Sequence, residues 1–180
     1  LAFLAAHRRV VRYDARGCGL SDWEIDEFSL EVWVRDLEAA VDAAGLKGLS
    51  LLGLSQGGPI AIAYAVRHPE RVSRLVLLGA YARGYMKRDP TPAQVEEWRV
   101  LNDLMRIGWG RETPAFRQVF TSTFVPDASL EQLRWFDDLQ RESTSPDNAA
   151  RIRTAFGTLD VRDVTPAVSV PTLVLHARGD

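Results

Sequence analysis

Short aliphatic runs recur along the chain without the strict alternation of a half-exposed strand. Such runs are typical of parallel strands that are covered on both faces. Amphipathic helical patterns separate the first three runs, and this order predicts an α/β fold with a doubly wound, mostly parallel sheet. The four predicted strands cover residues 10–13, 49–54, 75–78 and 172–175.

Two helices are predicted between the first three strands. The first has apolar residues at helical spacing after an N-cap at Ser29, and Gly45 can end it. The second begins just after Ser55, with Pro59 in its first turn, where the missing N–H costs little. Each helix is expected to pack one face on the sheet.

Residues 81–165 contain no strand-like run but several amphipathic helical patterns, two of which start at capping boxes on Thr91 and Ser129. They predict an all-helical cap, or lid, over the carboxyl edge of the sheet, where open α/β sheets bind ligands. The predicted organisation is a first part of the core at 1–80, the cap at 81–165 and a return to the core at 166–180.

The composition narrows the classes of function. The formal net charge is −2 and the basic residues are scattered, so nucleic-acid binding is not expected. The single cysteine, Cys18, cannot form an intramolecular disulfide, which favours the cytoplasm. No apolar run approaches the ~20 residues of a membrane span, and no metal-ligand or phosphate-loop spacing occurs. We therefore expect a small-molecule substrate, with neither cofactor nor metal.

One motif carries candidate chemistry. Gly53-Leu54-Ser55-Gln56-Gly57 matches G-x-S-x-G, and it lies between a predicted strand and a predicted helix. A serine in such a sharp turn is strained and exposed. Gly53 and Gly57 are expected to let strand and helix approach closely, with Gly58 adding room. The Gln56 N–H at the helix start can donate to an oxyanion, which makes it a candidate oxyanion-hole donor.

Four segments in this order resemble the α/β-hydrolase superfamily, in its serine-nucleophile, lidded esterase and haloperoxidase branch. Segment 11–22 is similar to D-x-R-G-x-G-x-S, segment 53–57 to the nucleophile elbow, segment 67–78 to the part after it, and segment 170–180 to the strand before the acid loop. The sequences of residues 18–23 and 143–146 are most similar to hydrolase modules of bacterial regulators and cyclase fusions. A fused regulatory domain upstream is therefore a possible partner.

The resemblance implies a catalytic triad with Ser55 as nucleophile and Asp180 as acid. Asp160 and Asp163 are weaker alternatives because they precede the last strand. Because the family order is nucleophile, acid, histidine, the catalytic histidine is expected beyond residue 180. His7, His68 and His176 are accordingly predicted to be structural.

The remaining candidates are predicted to build structure. Asp14, Arg16 and Asp22 are expected to tie their glycine-rich loop together, and Cys18 is expected to be a packed residue. The resemblance also implies an inner strand and a second oxyanion donor before residue 1, so we expect the chain to be a fragment of an incomplete fold.

Two hypotheses of function follow. The first is a serine hydrolase that acts on an ester-like or other small carbonyl substrate through an acyl-enzyme at Ser55, and that is inactive or nearly so as this fragment. The second is a slow or non-catalytic ligand-binding sensor that retains a hydrolase pocket. An intact serine favours the first hypothesis.

Overall fold

The computed structural model describes residues 2–111, 113–125 and 127–178. Its strands form one parallel sheet in the order β1 (Leu49–Leu54), β2 (Val72–Leu78) and β3 (Thr172–Leu175). The register pairs Leu54 with Leu78 and Leu78 with Leu175. The carboxyl ends of all three strands therefore meet at one edge, and the predicted α/β fold class is confirmed.

The prediction of a strand at 10–13 is wrong for this structure, because the segment is not part of the sheet. Val10, Val11 and Tyr13 are 39%, 44% and 43% exposed. A strand is stable only when a neighbour takes its backbone hydrogen bonds. The resemblance to α/β-hydrolases implies another strand between this segment and β1, and in the described ranges the outer edge of β1 has no strand beside it.

Three helices belong to the part of the chain around β1. They are α1 (Ala2–Ala5), α2 (Leu30–Ala43) and α3 (Gly57–Arg67). The Ser29 hydroxyl accepts a hydrogen bond from the Val32 N–H, as predicted for the N-cap. The chain turns after α2 at Gly45, whose φ of 65° lies in the left-handed region.

The main core lies between the sheet and the helices α2 and α3. Burial of these aliphatic and aromatic side chains is the principal stabilising term of such a layer. Its buried members are Val34, Leu37, Val41, Ala61, Ile62, Tyr64, Ala65, Val72, Leu75, Leu77 and Val161.

Four longer helices lie between β2 and β3: α4 (Pro92–Gly108), α5 (Pro114–Phe124), α6 (Leu130–Ser143) and α7 (Pro146–Thr158). Short 3-10 helices at Tyr85–Lys87 and Thr165–Ala167 precede α4 and follow α7. Both predicted capping boxes are confirmed, at Thr91 with Gln94 and at Ser129 with Gln132. None of the helices in the described ranges is long and apolar enough to cross a membrane.

The insertion leaves and re-enters the core at one place. Arg83 and Asp160 form an isolated antiparallel bridge. The Gly84 N–H donates to the Leu159 carbonyl at 2.8 Å, and the Val161 N–H donates to the Ala82 carbonyl at 2.9 Å. The chain on either side of the four helices is therefore joined by backbone hydrogen bonds.

Candidate active site

The turn between β1 and α3 has the geometry of a nucleophile elbow. Ser55 has a φ of 48°, a left-handed conformation that residues with a Cβ rarely adopt. Its N–H donates to the Leu78 carbonyl at 2.9 Å, and its carbonyl accepts from the Gly58 N–H at 2.9 Å. These two bonds hold the strained residue in place, and the Ser55 side chain is exposed.

Gln56 directly precedes α3 and has helical φ and ψ of −61° and −17°. Its side chain makes no capping bond. Within the described ranges its N–H has no hydrogen-bond acceptor, so this donor is free at the positive end of the helix. An amide in this position is suited to binding an oxyanion beside Ser55.

The close approach of strand and helix depends on Gly53 and Gly58. A Cβ on Gly53 would lie 2.9 Å from the Ala61 Cβ and the Gly57 carbonyl oxygen, and one on Gly58 would overlap the Ala80 Cβ. At Gly57 no described atom lies within 4 Å of such a Cβ. The steric role expected at Gly57 therefore falls on Gly58, because the first turn of α3 directs Gly58 towards the residues after β2.

Ser55 shares its edge of the sheet with the residues that follow β2 and β3. The Gly79 N–H donates to the Leu175 carbonyl at 2.9 Å, next to the bond between Ser55 and Leu78. The loop after β3 thus starts two strands away from the elbow. Asp180, the predicted acid, lies outside the described residues, and its role stays a prediction.

His68 has the structural role that was predicted for it. It follows the last residue of α3, at the opposite end of the helix from Ser55. Its Nε2 lies 2.8 Å from a Glu38 carboxylate oxygen, and its ring lies 4.9 Å from the Tyr64 ring. The imidazole therefore joins α2 to α3.

Asp160, the alternative acid of the triad, forms an ion pair with Arg162. The Arg162 guanidinium contacts both carboxylate oxygens, the shorter distance being 2.7 Å. This side-chain pairing, together with the hydrogen bond from the Arg162 backbone N–H, lowers the pKa of Asp160 to about 2. A carboxylate held in this way at the bridge to Arg83 is suited to a structural role rather than to orienting a catalytic histidine.

The loop 14–22 is held together by Asp14 and Arg16, as predicted. The Asp14 carboxylate accepts from the Leu20 N–H at 3.0 Å. Arg16 makes a two-pronged ion pair with Asp36 of α2, at 2.6 and 2.7 Å. Asp22 takes part through its backbone carbonyl, which accepts from the Gly17 N–H.

Cys18 lies in the same loop and is partly buried. Burial raises the pKa of its thiol, against a hydrogen bond with Thr144 that lowers the pKa. A raised pKa leaves less of the nucleophilic thiolate, which agrees with a packed residue.

Sequence analysis missed the residues that fasten this loop and Trp23 to the end of α6 and the start of α7. The Thr144 hydroxyl donates to the Gly17 carbonyl at 2.5 Å, and the Asn148 amide donates to the Trp23 carbonyl at 2.8 Å. The Gly19 N–H donates to the Ser143 carbonyl at 2.8 Å. Thr144 and Asn148 are buried, but a polar residue near a helix start is too common to indicate such a contact.

Two clefts in the described chain lie away from Ser55. One, of about 500 Å³, lies between the loop 14–25 and α2. The other, of about 380 Å³, lies beside α6 and is lined by Trp135 and Phe136. Ser55 lines neither of them, so its hydroxyl lies on an open part of the described surface.

The elbow, the parallel sheet and the helical insertion agree with one family model. A model described as the alpha/beta hydrolase fold matches residues 1–180. The chain belongs to the α/β-hydrolase fold family. The resemblance inferred from the four sequence motifs is therefore confirmed.

Individual members of the family show the same similarity. The chain is 30% identical over 173 residues to the AB hydrolase superfamily protein YisY of Bacillus subtilis, covering 96% of this chain and 64% of that protein. It is 29% identical over 197 aligned positions to 2-hydroxy-6-oxo-2,4-heptadienoate hydrolase of Pseudomonas putida, covering 98% and 63%.

A solved structure supports the fold directly. The esterase EaEST of Exiguobacterium antarcticum superposes with a TM-score of 0.75 at 27% identity, covering 89% of this chain and 59% of the esterase. The chain thus spans less than two thirds of the length of each of these three α/β-hydrolases.

Proposed function

We propose that the protein is a serine hydrolase that cleaves an ester-like or other small carbonyl substrate through an acyl-enzyme at Ser55. The single observation that carries the proposal is the left-handed serine, with a φ of 48°, directly before the free N–H of Gln56. A strained, exposed hydroxyl beside an unpaired backbone donor is the arrangement that acyl transfer requires.

The proposed reaction has two steps. In the first, Ser55 Oγ attacks the substrate carbonyl carbon, a histidine accepts the hydroxyl proton, and the Gln56 N–H donates to the oxyanion. Collapse of the intermediate breaks the bond to the leaving group, which takes the proton from the histidine. In the second step, the histidine takes a proton from the water that attacks the acyl carbon. Cleavage of the acyl–Oγ bond then returns that proton to Ser55 and releases the acid.

The acid and the histidine of the triad are proposed from the order of these residues in the family, which is nucleophile, acid, histidine. Asp180 would orient the histidine, and the histidine itself is expected beyond residue 180. We propose that the 180-residue chain alone is inactive or nearly so for this reason. We also propose a cytoplasmic enzyme with a possible fused regulatory domain, in line with the similarity of segments 18–23 and 143–146 to regulator modules.

The names of the relatives support a hydrolytic reaction and limit the range of substrates to propose. One is named for hydrolysis of a 2-hydroxy-6-oxo-dienoate, and a structural neighbour is named an esterase. Esterase, lactonase, carbon–carbon bond hydrolase and perhydrolase activity are all compatible with a nucleophile at Ser55. The proposal therefore extends to a small carbonyl compound.

A ligand-binding sensor is the second candidate. In the described ranges no histidine is hydrogen-bonded to Ser55, and the bonds of His68 are directed to α2. A protein whose complete reading frame also lacked a histidine for Ser55 would bind substrate without efficient turnover.

The test uses the protein encoded by the complete reading frame that contains this chain. Hydrolysis of para-nitrophenyl butyrate is compared in wild type, Ser55→Ala and the control Ser50→Ala, whose hydroxyl lies on β1 near Ser73. We expect Ser55→Ala to lose on the order of 10³-fold or more in kcat/KM and Ser50→Ala to retain activity.

A covalent label separates the two candidates. A fluorophosphonate reagent should phosphonylate wild type at Ser55, as located by peptide mass spectrometry, and leave Ser55→Ala unlabelled. Equal hydrolysis by wild type and Ser55→Ala would contradict the proposal. Ligand binding without either labelling or turnover would favour the sensor.

A further inference from the structure

The cleft beside α6 has a mostly apolar wall that contains one charged group. The residues that line it in the described chain are Val125, Asp127, Ala128, Gln132, Trp135 and Phe136. Its volume of about 380 Å³ lies within the range of roughly 300–1,000 Å³ in which proteins bind small molecules. The cleft thus combines two aromatic rings with a single carboxylate, that of Asp127.

Hydrogen bonds hold the wall of this cleft in position. The Val125 N–H donates to the Thr121 carbonyl at 2.9 Å, and the Ala128 N–H donates to the Val125 carbonyl at 3.1 Å. The Gln132 side-chain oxygen accepts from the Ser129 N–H at 2.8 Å. The turn between α5 and α6 is therefore organised before a ligand binds, which lowers the cost of binding.

The two aromatic rings of the cleft meet at an angle. The Trp135 and Phe136 rings are inclined by 59°, with centroids 6.4 Å apart. The Phe124 ring supports Phe136 from a centroid distance of 5.7 Å, and Trp135 is 63% exposed. Because both rings line the cleft, a cation bound there can lie within about 6 Å of both centroids, the range of cation–π attraction.

The chain supplies cations to other rings but not to these two. In the described ranges, four rings have an arginine guanidinium carbon within 4.8–5.6 Å of the centroid: Phe28, Tyr81, Trp98 and Phe116. Trp135 and Phe136 are not among them. A cation for these rings would therefore have to come from a ligand.

The charges around the cleft also favour a cation. The Asp127 carboxylate is exposed and makes no hydrogen bond or ion pair with a described residue. Residues 127–142 carry five Asp and Glu side chains but only two Arg side chains, and one of these, Arg141, pairs with Asp138 and Glu142. An excess of carboxylates raises the local concentration of cations.

The apolar wall distinguishes between kinds of cation. A metal ion takes several oxygen ligands, and the cleft offers one carboxylate. A quaternary ammonium ion needs no hydrogen-bond acceptor, because its charge is covered by methyl groups that can contact aromatic rings. Two ring faces and one nearby carboxylate are suited to such an ion.

We propose that this cleft binds the trimethylammonium group of a ligand, with Trp135 and Phe136 contacting its methyl groups and Asp127 supplying the opposite charge. The site lies away from Ser55, and the proposal does not depend on the hydrolytic reaction. It gives the helical insertion a binding function of its own.

The test measures binding of two probes of equal shape to the protein from the complete reading frame. One probe is choline, and the other is its neutral isostere dimethylbutanol, in which a carbon atom replaces the ammonium nitrogen. NMR titration of the methyl protons gives both dissociation constants. Neither probe contains an ester bond, so the result is independent of Ser55.

We expect wild type to bind choline at least about tenfold more tightly than the neutral alcohol. Trp135→Leu removes a ring face and should weaken choline binding about 5- to 30-fold, whereas Trp135→Phe keeps a ring face and should stay within about threefold. Circular dichroism checks that each variant is folded.

A pair of charge variants tests the carboxylate. Asp127→Asn should weaken choline binding at least about threefold and leave the neutral alcohol unchanged. The control Glu131→Gln makes the same chemical change at an exposed residue of α6 that does not line the cleft, and it should alter choline binding less than about twofold.

A further arm distinguishes a free ligand from a lipid headgroup. Co-sedimentation with phosphatidylcholine vesicles that is lost in Trp135→Leu would assign the trimethylammonium group to a lipid, and binding of free choline alone would assign it to a small metabolite. Equal binding of choline and the neutral alcohol overturns the proposal, as does binding of neither choline nor vesicles. Equal losses in Asp127→Asn and Glu131→Gln would also overturn it.

Discussion

Trp33 of α2 and Phe156 of α7 stack face to face, with ring centroids 4.1 Å apart and planes inclined by 7°. Both side chains are buried, at 3% and 7% exposure, and Leu159 completes their cluster. This contact joins a helix of the sheet layer to a helix of the insertion. It thereby complements the hydrogen bonds from Thr144 and Asn148 to the Gly17 and Trp23 carbonyls.

Truncating one ring should destabilise the protein strongly. Phe156→Ala removes the stack and leaves a cavity between α2 and α7, so we expect the free energy of unfolding to fall by about 3–5 kcal/mol. The control Trp135→Ala removes an aromatic side chain that is 63% exposed and should cost less than about 1 kcal/mol. Urea denaturation measures both; equal losses would show that the stack adds little.

Asn148 should be sensitive to an isosteric change. Asn148→Asp replaces the donor to the Trp23 carbonyl with a carboxylate oxygen, which repels that carbonyl. We expect a loss of about 1–3 kcal/mol in unfolding free energy, because the buried Asn148 amide no longer donates to this partly buried carbonyl. Asp138→Asn, the reverse isosteric change at an exposed site on α6, should alter stability by about 0.5 kcal/mol at most. Similar stabilities for the two variants would contradict a fastening role.

Two adjacent glycines offer a direct test of the packing beneath the elbow. Gly58→Ala forces a methyl group against the Ala80 Cβ, and we expect it to cost about 1–3 kcal/mol. Gly57→Ala meets open space and should be neutral or stabilise α3 by up to about 1 kcal/mol. Adding Ala80→Gly should rescue Gly58→Ala in thermal unfolding. If the double variant is no more stable than Gly58→Ala alone, the contact with Ala80 is not the cause of the loss.

The Asp160–Arg162 pair predicts a pH dependence of stability. The folded-state pKa of Asp160 is lowered from 3.8 to about 2, so the pair stabilises the folded protein above the ordinary pKa. This contribution should vanish as the pH falls from 4 to 2. Melting temperatures of wild type and Asp160→Asn should differ at pH 6 and converge near pH 2. A difference that persists at the acid limit would mean that the carboxylate charge is not its source.

Much of this architecture is predictable from local patterns. Ser29, Thr91 and Ser129 predict where their helices begin, because each capping hydroxyl and the N–H that it accepts from lie three residues apart in the sequence. The elbow is equally local, since a strand, a serine between glycines and a helix follow one another directly. The four motifs also identify the family from sequence alone.

Other features depend on partners far away in the chain. The run 10–13 has the composition of a strand but is not paired with the sheet. The steric role of Gly58 depends on Ala80, and the role of Asn148 depends on Trp23, contacts that no spacing rule indicates. The amphipathic pattern after Ser129 correctly predicts a helix, but two of its apolar side chains are exposed, Leu130 at 71% and Leu139 at 45%.

The bridge between Arg83 and Asp160 has a consequence for how such proteins diversify. The chain leaves the core at Arg83 and returns to it at Asp160, which lie side by side. The four helices are therefore inserted at one point of the core. Changes in α4 and α5 therefore need not move the strand ends that position Ser55, whereas α7 is tied to α2 by the stack of Trp33 and Phe156. A different helical segment between Arg83 and Asp160 is thus compatible with the same serine turn, provided that the contact between α7 and α2 is kept.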